Sequence, residues 1–240
     1  MTIIVALKVA AGLVVAADSR LTVLDDHRAV FLSDTNFKLF GVRGYPLSVL
    51  TCGSSFLEER AIASWLEHLV QDAAGRQAEW STVADELAQL LPPPDQGSIT
   101  YLLVGFERNA IRGADAQMLK INRFASGEVH RFDLSNSAIF WDGEFEALTR
   151  LLLGFAPAYA DLVAAGPAKG QGEAFIPYYA FSLQEGVEYV EFLVRTQIQF
   201  QRFAAQPQTC GGAIDVATIT PEDGFQWVRR KAIPPYNYLG

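Results

Sequence analysis

Two cysteines in 240 residues, Cys52 and Cys210, are too few for a disulfide framework or a zinc cluster, and they suit a reducing compartment. Histidine is also scarce. His27, His68 and His130 stand alone, with no second ligand at metal-binding spacing and no HExxH, so no metal site is expected. Lysine and arginine total 19 against 27 acidic residues, a net charge of −8. That field repels a phosphate backbone, which excludes nucleic acid as an expected partner. The one dense basic run, Arg229-Arg230-Lys231, reads as a solvated rim at the end of a strand. Long unbroken apolar runs are missing too: Lys8 and Asp18 interrupt the N-terminal stretch, and no charged segment precedes it. Neither a signal peptide nor a membrane span is therefore expected, and the sequence reads as a soluble, cytoplasmic protein without a membrane partner. Walker and Gly-x-Ser-x-Gly motifs do not occur, and Gly170-Gln171-Gly172 lacks the strand and third glycine of a dinucleotide loop. No cofactor is predicted.

Half of the residues are apolar and 12% are aromatic, enough for a large packed core without metal or disulfide staples. Near-continuous apolar runs predict strands at 3–10, 13–17, 37–42 and 47–52, with Ala11-Gly12 turning the first pair. Leu57, Ala61, Ile62, Trp65, Leu66, Leu69 and Val70 recur at helical spacing. Ser55 and Glu58 form a capping-box pattern before them, and Gly75 reads as their end. A second helix over 81–91 stops at Pro92-Pro93-Pro94. Strands return at 99–106, 117–123, 129–134 and 138–141. Helices over 144–153 and 183–204 follow, the latter opened by a Ser182/Glu185 capping box. Strands over 213–220 and 225–231 close the chain. Residues 154–181 are too long for a plain connection and read as an insertion or functional loop. No linker or repeat divides the sequence, so one domain over 1–240 is expected, with two stacked sheets covered by helices on both faces.

Chemistry concentrates near the N-terminus. Thr2 heads the first strand, and removal of Met1 would give one residue both a hydroxyl and a free α-amine able to deprotonate it. Asp18, in Ala16-Ala17-Asp18-Ser19-Arg20, and Lys38, in Phe37-Lys38-Leu39-Phe40, are charges set in apolar strands. Such charges are buried only when paired, most simply with each other.

Thr2-Ile3-Ile4-Val5-Ala6-Leu7-Lys8, Gly12 to Arg20 and Lys38 together resemble the opening of proteasome β-type subunits. These are N-terminal nucleophile hydrolases, as are the bacterial HslV peptidase and the Anbu proteins. The sixteen-residue step from Thr2 to Asp18 matches that family. Leu50-Thr51-Cys52-Gly53 and Gly211-Gly212-Ala213-Ile214-Asp215-Val216 are similar to its later motifs. The resemblance implies an α+β fold, a four-layer αββα sandwich. It further implies threonine-dependent hydrolysis of peptide or amide substrates, no cofactor, and self-assembly into a homo-oligomeric ring or stacked ring. Thr2 would be nucleophile and base, Lys38 would tune it, Asp18 would hold Lys38, and the Gly53 N–H would stabilise the oxyanion.

Departures from the pattern favour a second reading, a catalytically silent, self-assembling scaffold or binding protein of the same fold. Asp142 stands before Gly143 where the family has serine. As a neighbour of the amine site it implies a raised amine pKa and an alkaline optimum. Cys210 replaces a later serine. The interval from Thr2 to Lys38 is longer than the family's, which reads as a longer loop around Asp25-Asp26-His27.

Overall fold

The structure, a computed structural model, describes residues 2–25, 28–107, 109–166, 172–205 and 207–232. The chain opens with β1 (Ile3–Val9), β2 (Gly12–Ala17), β3 (Leu21–Asp25), β4 (Arg28–Ser33), β5 (Leu39–Gly41) and β6 (Leu47–Gly53). Two short strands, β7 (Phe56–Leu57) and β8 (Arg60–Ala61), lead into α1 (Ile62–Arg76) and α2 (Trp80–Gln89). Next come β9 (Ser98–Gly105), β10 (Gln117–Phe124), β11 (Val129–Asp133) and β12 (Ile139–Gly143). Helices α3 (Glu146–Leu153), α4 (Ala160–Ala165) and α5 (Leu183–Phe203) precede β13 (Asp215–Thr220) and β14 (Gly224–Arg229). The fold is α+β. Its larger sheets run β12-β1-β2-β13-β14 and β11-β10-β9-β6-β5, with neighbouring strands antiparallel throughout both.

Side-chain alternation explains how both faces of these sheets are buried. On β1, Ile3, Val5, Leu7 and Val9 pack with α3 and α5, while Ile4 and Ala6 face the other sheet. On β9, Ile99, Tyr101 and Leu103 pack with α1 and α2, while Leu102 and Val104 face β1 and β2. Leu13, Val15, Leu50, Met118 and Ile219 complete the cluster between the sheets. Each fully buried Leu, Ile or Val contributes about 1.5–3 kcal/mol, so these strands cannot slip by one residue without losing most of that. Gly186 lets α5 lie close on the first sheet, since a Cβ there would be 2.9 Å from Val14.

The expected strands of the two large sheets and the longer helices are present within a few residues, and the Ser182/Glu185 box does cap α5. Four details differ. Ser55 and Glu58 do not cap α1, which starts after Ala61. Instead Glu58 and Glu59 take φ of 48° and 60° in the β7–β8 turn, and their N–H groups donate to the Asp95 carboxylate. Gly75 lies inside α1, and Gln77 supplies the left-handed cap. The stretch expected as a loop around residues 25–27 is the β3–β4 ribbon, although Asp26 and His27 lie outside the described residues. The 37–42 strand is only β5, so Lys38 precedes it. Residues 154–181 hold α4 and two 3₁₀ turns. Gly170 and Gln171 lie outside the described residues, as does Met1.

Candidate active site

Asp18 follows β2, which pairs with β1 so that Ala17 lies opposite Ile4. This register carries its side chain to the backbone just after Thr2. Asp18 Oδ1 accepts the Ile3 N–H at 3.1 Å and the Lys38 ammonium at 2.7 Å. Its other oxygen accepts the N–H groups of Arg20 (3.2 Å) and Gly211 (2.9 Å). A carboxylate with no exposure thus has a donor in four directions, the condition under which burial of a charge is tolerated. Lys38, 2% exposed, also donates to the Arg20 carbonyl at 2.5 Å, and its own carbonyl receives the Thr51 N–H from β6. The pair expected from the sequence therefore exists and lies inside the protein. Thr2, at 3% exposure, is buried beside it.

The far side of Asp18 is ordered from α5. Buried Gln201 accepts the N–H groups of Thr209 (3.1 Å) and Cys210 (2.8 Å) through Oε1, which presents the next amide, that of Gly211, to Asp18. Ser19 donates to the Ala213 carbonyl at 2.6 Å and fixes the same loop. Gly211 and Gly212 pass against Arg20 and Asp34, which form a two-point ion pair at 2.7 Å. That hydrogen bond holds the Asp34 carboxyl below its ordinary range. Its small stabilising effect is present above the unfolded-state value and is lost as pH falls through the lower folded value.

On the other side, β12 extends past its last pair, Ile3 opposite Gly143, and the Glu144 N–H donates to the Thr2 carbonyl at 2.6 Å. Gly143 has φ of +96°, and a Cβ there would lie 1.9 Å from that carbonyl. Gly143→Ala is therefore expected to cost more than the roughly 1–3 kcal/mol of a strained backbone position alone, read as a lowered melting temperature. Asp142 sits opposite Ile4, whose side chain faces the other sheet. Its Oδ1 accepts the Gly143 N–H at 2.7 Å, and its Oδ2 lies 2.5 Å from Lys120 Nζ on β10. Gly53 ends β6, exposed, at φ of +101°, with its Cβ position 2.5 Å from the Ser98 carbonyl. Only glycine fits there without displacing backbone.

No protein-family model and no curated protein sequence matches the chain. Among solved structures it is similar to Anbu, a Gly-1 mutant, from Hyphomicrobium sp. strain MC1. Identity is 14%, the match covers 96% of this chain and 86% of that one, and the TM-score is 0.56. The chain has the Anbu fold. At this identity the likeness is one of architecture, and it agrees with the group to which the N-terminal motifs point.

Within this Anbu fold, two cysteines flank the Asp18–Lys38 pair, and burial makes both inert. Cys52 is pushed up to about 12, first by burial and then by Asp142. Cys210 is raised by burial and by Asp18. The basic run at 229–231 is not a uniform rim. Arg229 pairs with Glu191 and Arg230 lies over the Trp227 and Phe37 rings. The Lys231 side chain turns inward at 5% exposure, paired with buried Asp215 and 4.2 Å above the Phe37 ring. Asp215 starts β13 opposite Ala17, so its buried carboxylate needs a cation, and that requirement pulls Lys231 in. Sequence reasoning missed Lys120, Gln201 and Glu144. None sits in a motif: Lys120 and Glu144 reach the site by pairing with residues distant in the chain, and Gln201 by bonding the loop eight and nine residues beyond it. Among the described residues no three His, Cys, Asp or Glu side chains cluster as a metal would need, and no single helix is long and apolar enough to cross a membrane.

Proposed function

We propose that this protein is a threonine-dependent amide or peptide hydrolase that acts once Met1 is removed. The observation that carries the reading is that one oxygen, Asp18 Oδ1, receives both Lys38 Nζ and the amide following Thr2. This ties the lysine to the backbone that positions the threonine. Thr2 would attack the scissile carbonyl while its α-amine takes the hydroxyl proton. The Lys38 charge, held by Asp18, favours the neutral amine. The Gly53 N–H would receive the oxyanion. Collapse of the tetrahedral intermediate breaks the C–N bond, and the departing amine takes its proton from the α-ammonium. The acyl ester left on Thr2 is hydrolysed by water that the freed amine activates. The same reading takes the three apolar clusters as the interiors of a four-layer αββα sandwich built from one domain, and takes the protein as a homo-oligomer.

Treatment of purified protein with a β-lactone, followed by peptide mapping, tests the nucleophile. Light scattering after size exclusion tests assembly: a mass well above one chain is expected, and a monomer at micromolar concentration contradicts it. The scaffold reading is favoured by one observation, the burial of Thr2. The two readings separate at the N-terminus, because a scaffold has no need to expose the amine.

A further inference from the structure

We propose that Lys120 is a positioning residue for Thr2: by holding the Asp142 carboxylate across the gap between the sheets, it keeps the Thr2 amine neutral enough to act near neutral pH. The inference rests on the reading of Thr2 as nucleophile and base, and it names the residue that regulates that site. Thr2 continues the alternation of β1, two residues before Ile4, and so shares the face that looks toward the other sheet. Glu144 lies beside Thr2 on the neighbouring strand and Asp142 lies beside Ile4, which makes Thr2 and Asp142 diagonal neighbours on one face. Diagonal neighbours are about 7–8 Å apart, within reach of long side chains. An unpaired carboxylate there would stabilise an ammonium at Thr2 and raise its pKa.

The structure gives that carboxylate a different partner. Lys120 comes from β10 of the facing sheet, its Nζ 2.5 Å from Asp142 Oδ2 and 5.6 Å over the Phe140 ring. Asp142 Oδ1 is occupied by the Gly143 N–H. The side chains of Lys120 and Asp142 are only 22% and 16% exposed, so solvent screens the pair less than it would at the surface. Cys52 provides a second marker. Its Cβ is 3.6 Å from the Gly143 Cβ position, and its thiol feels Asp142, Lys120 and Lys38 together. The two lysine–aspartate pairs thus converge beside Thr2. The titratable groups around the amine are Asp18 after β2, Lys38 before β5, and Cys52 on β6. Lys120 on β10, Asp142 and Glu144 at the end of β12, and Cys210 before β13 complete the set. The two thiols are raised and stay neutral, which leaves Asp142 as the carboxylate whose pairing Lys120 controls.

The test is the pH profile of Thr2 labelling by a β-lactone. Lys120→Met is expected to move the midpoint up by about one pH unit, lowering the rate at pH 7 about tenfold while the alkaline plateau stays unchanged. Lys120→Arg should keep the parental midpoint, and Lys120→Met with Asp142→Asn should restore it. A merely structural role lowers the plateau and leaves the midpoint in place, which overturns the inference. A midpoint that stays high in the double variant overturns it as well. Should Lys120→Met not fold, Asp142→Asn alone decides: the midpoint falls because the Lys120 charge is then uncompensated, and an unchanged or raised midpoint is the contrary result. Parental protein unlabelled at every pH overturns the Thr2 reading and this inference with it, whereas labelled protein with unmoved midpoints overturns only the inference.

Discussion

Asp18→Ala is expected to destabilise the protein by about 3–5 kcal/mol, the range for breaking a buried ion pair by removing one partner. The effect is large because the loss is not confined to one contact. Lys38 would remain charged at 2% exposure with the Arg20 carbonyl still in place, and the amides of Ile3, Arg20 and Gly211 would lose their acceptor together. For a chain of this length the melting temperature should fall by roughly 6–20 °C. Asp18→Ala combined with Lys38→Met should cost clearly less than the two single losses added, since the residues are in direct contact. Urea titration with an unchanged m-value checks this. Small, additive changes would mean that the pair stabilises nothing.

The second large effect concerns reactivity rather than stability. Thr2→Ala should abolish β-lactone labelling while leaving the fold intact, because the ladder contacts at this position are made by backbone: the Thr2 carbonyl to Glu144 and the next amide to Asp18. Thr2→Ser keeps hydroxyl and amine and should retain partial labelling. Lys38→Ala should reduce labelling by about 10²–10⁴-fold, the span for loss of effective general-base assistance. Because Lys38→Ala also leaves Asp18 buried and short of one donor, its rate is to be read only under conditions where circular dichroism shows folded protein. Labelling of Thr2→Ala equal to that of the parent would place the reactive group elsewhere.

The strands near the N-terminus and the Asp18–Lys38 pair were legible for one reason: a charge inside a buried apolar run needs a partner, and only two such charges stood close together. What the sequence concealed is long-range. Gly211 reaches Asp18 across 193 positions. Gln201 looks like an ordinary polar helix residue until the Thr209–Cys210 backbone is seen to need its carbonyl oxygen. Lys120 lies on a strand that reads as half-buried and polar, with nothing in its neighbourhood to mark a carboxylate on the opposite sheet. Local rules also gave way to distant anions. The Ser55/Glu58 capping pattern is satisfied by a turn instead of a helix because Asp95 binds the Glu58 and Glu59 amides. Lys231 leaves the basic rim because the buried Asp215 carboxylate accepts both its backbone N–H and its ammonium. The β3–β4 ribbon was hidden because the sequence Asp25-Asp26-His27 carries none of the glycine signals that mark a hairpin.

Whether Thr2 becomes a free, reactive N-terminal residue is the claim on which the functional account rests. Peptide mapping by mass spectrometry after β-lactone treatment, at neutral and at alkaline pH, measures both parts at once. The account predicts an N-terminal peptide that begins at Thr2 and carries the probe as an ester on its hydroxyl. Folded protein whose first residue is Thr2 but which stays unlabelled throughout that pH range, or a probe attached to any other residue, would contradict it.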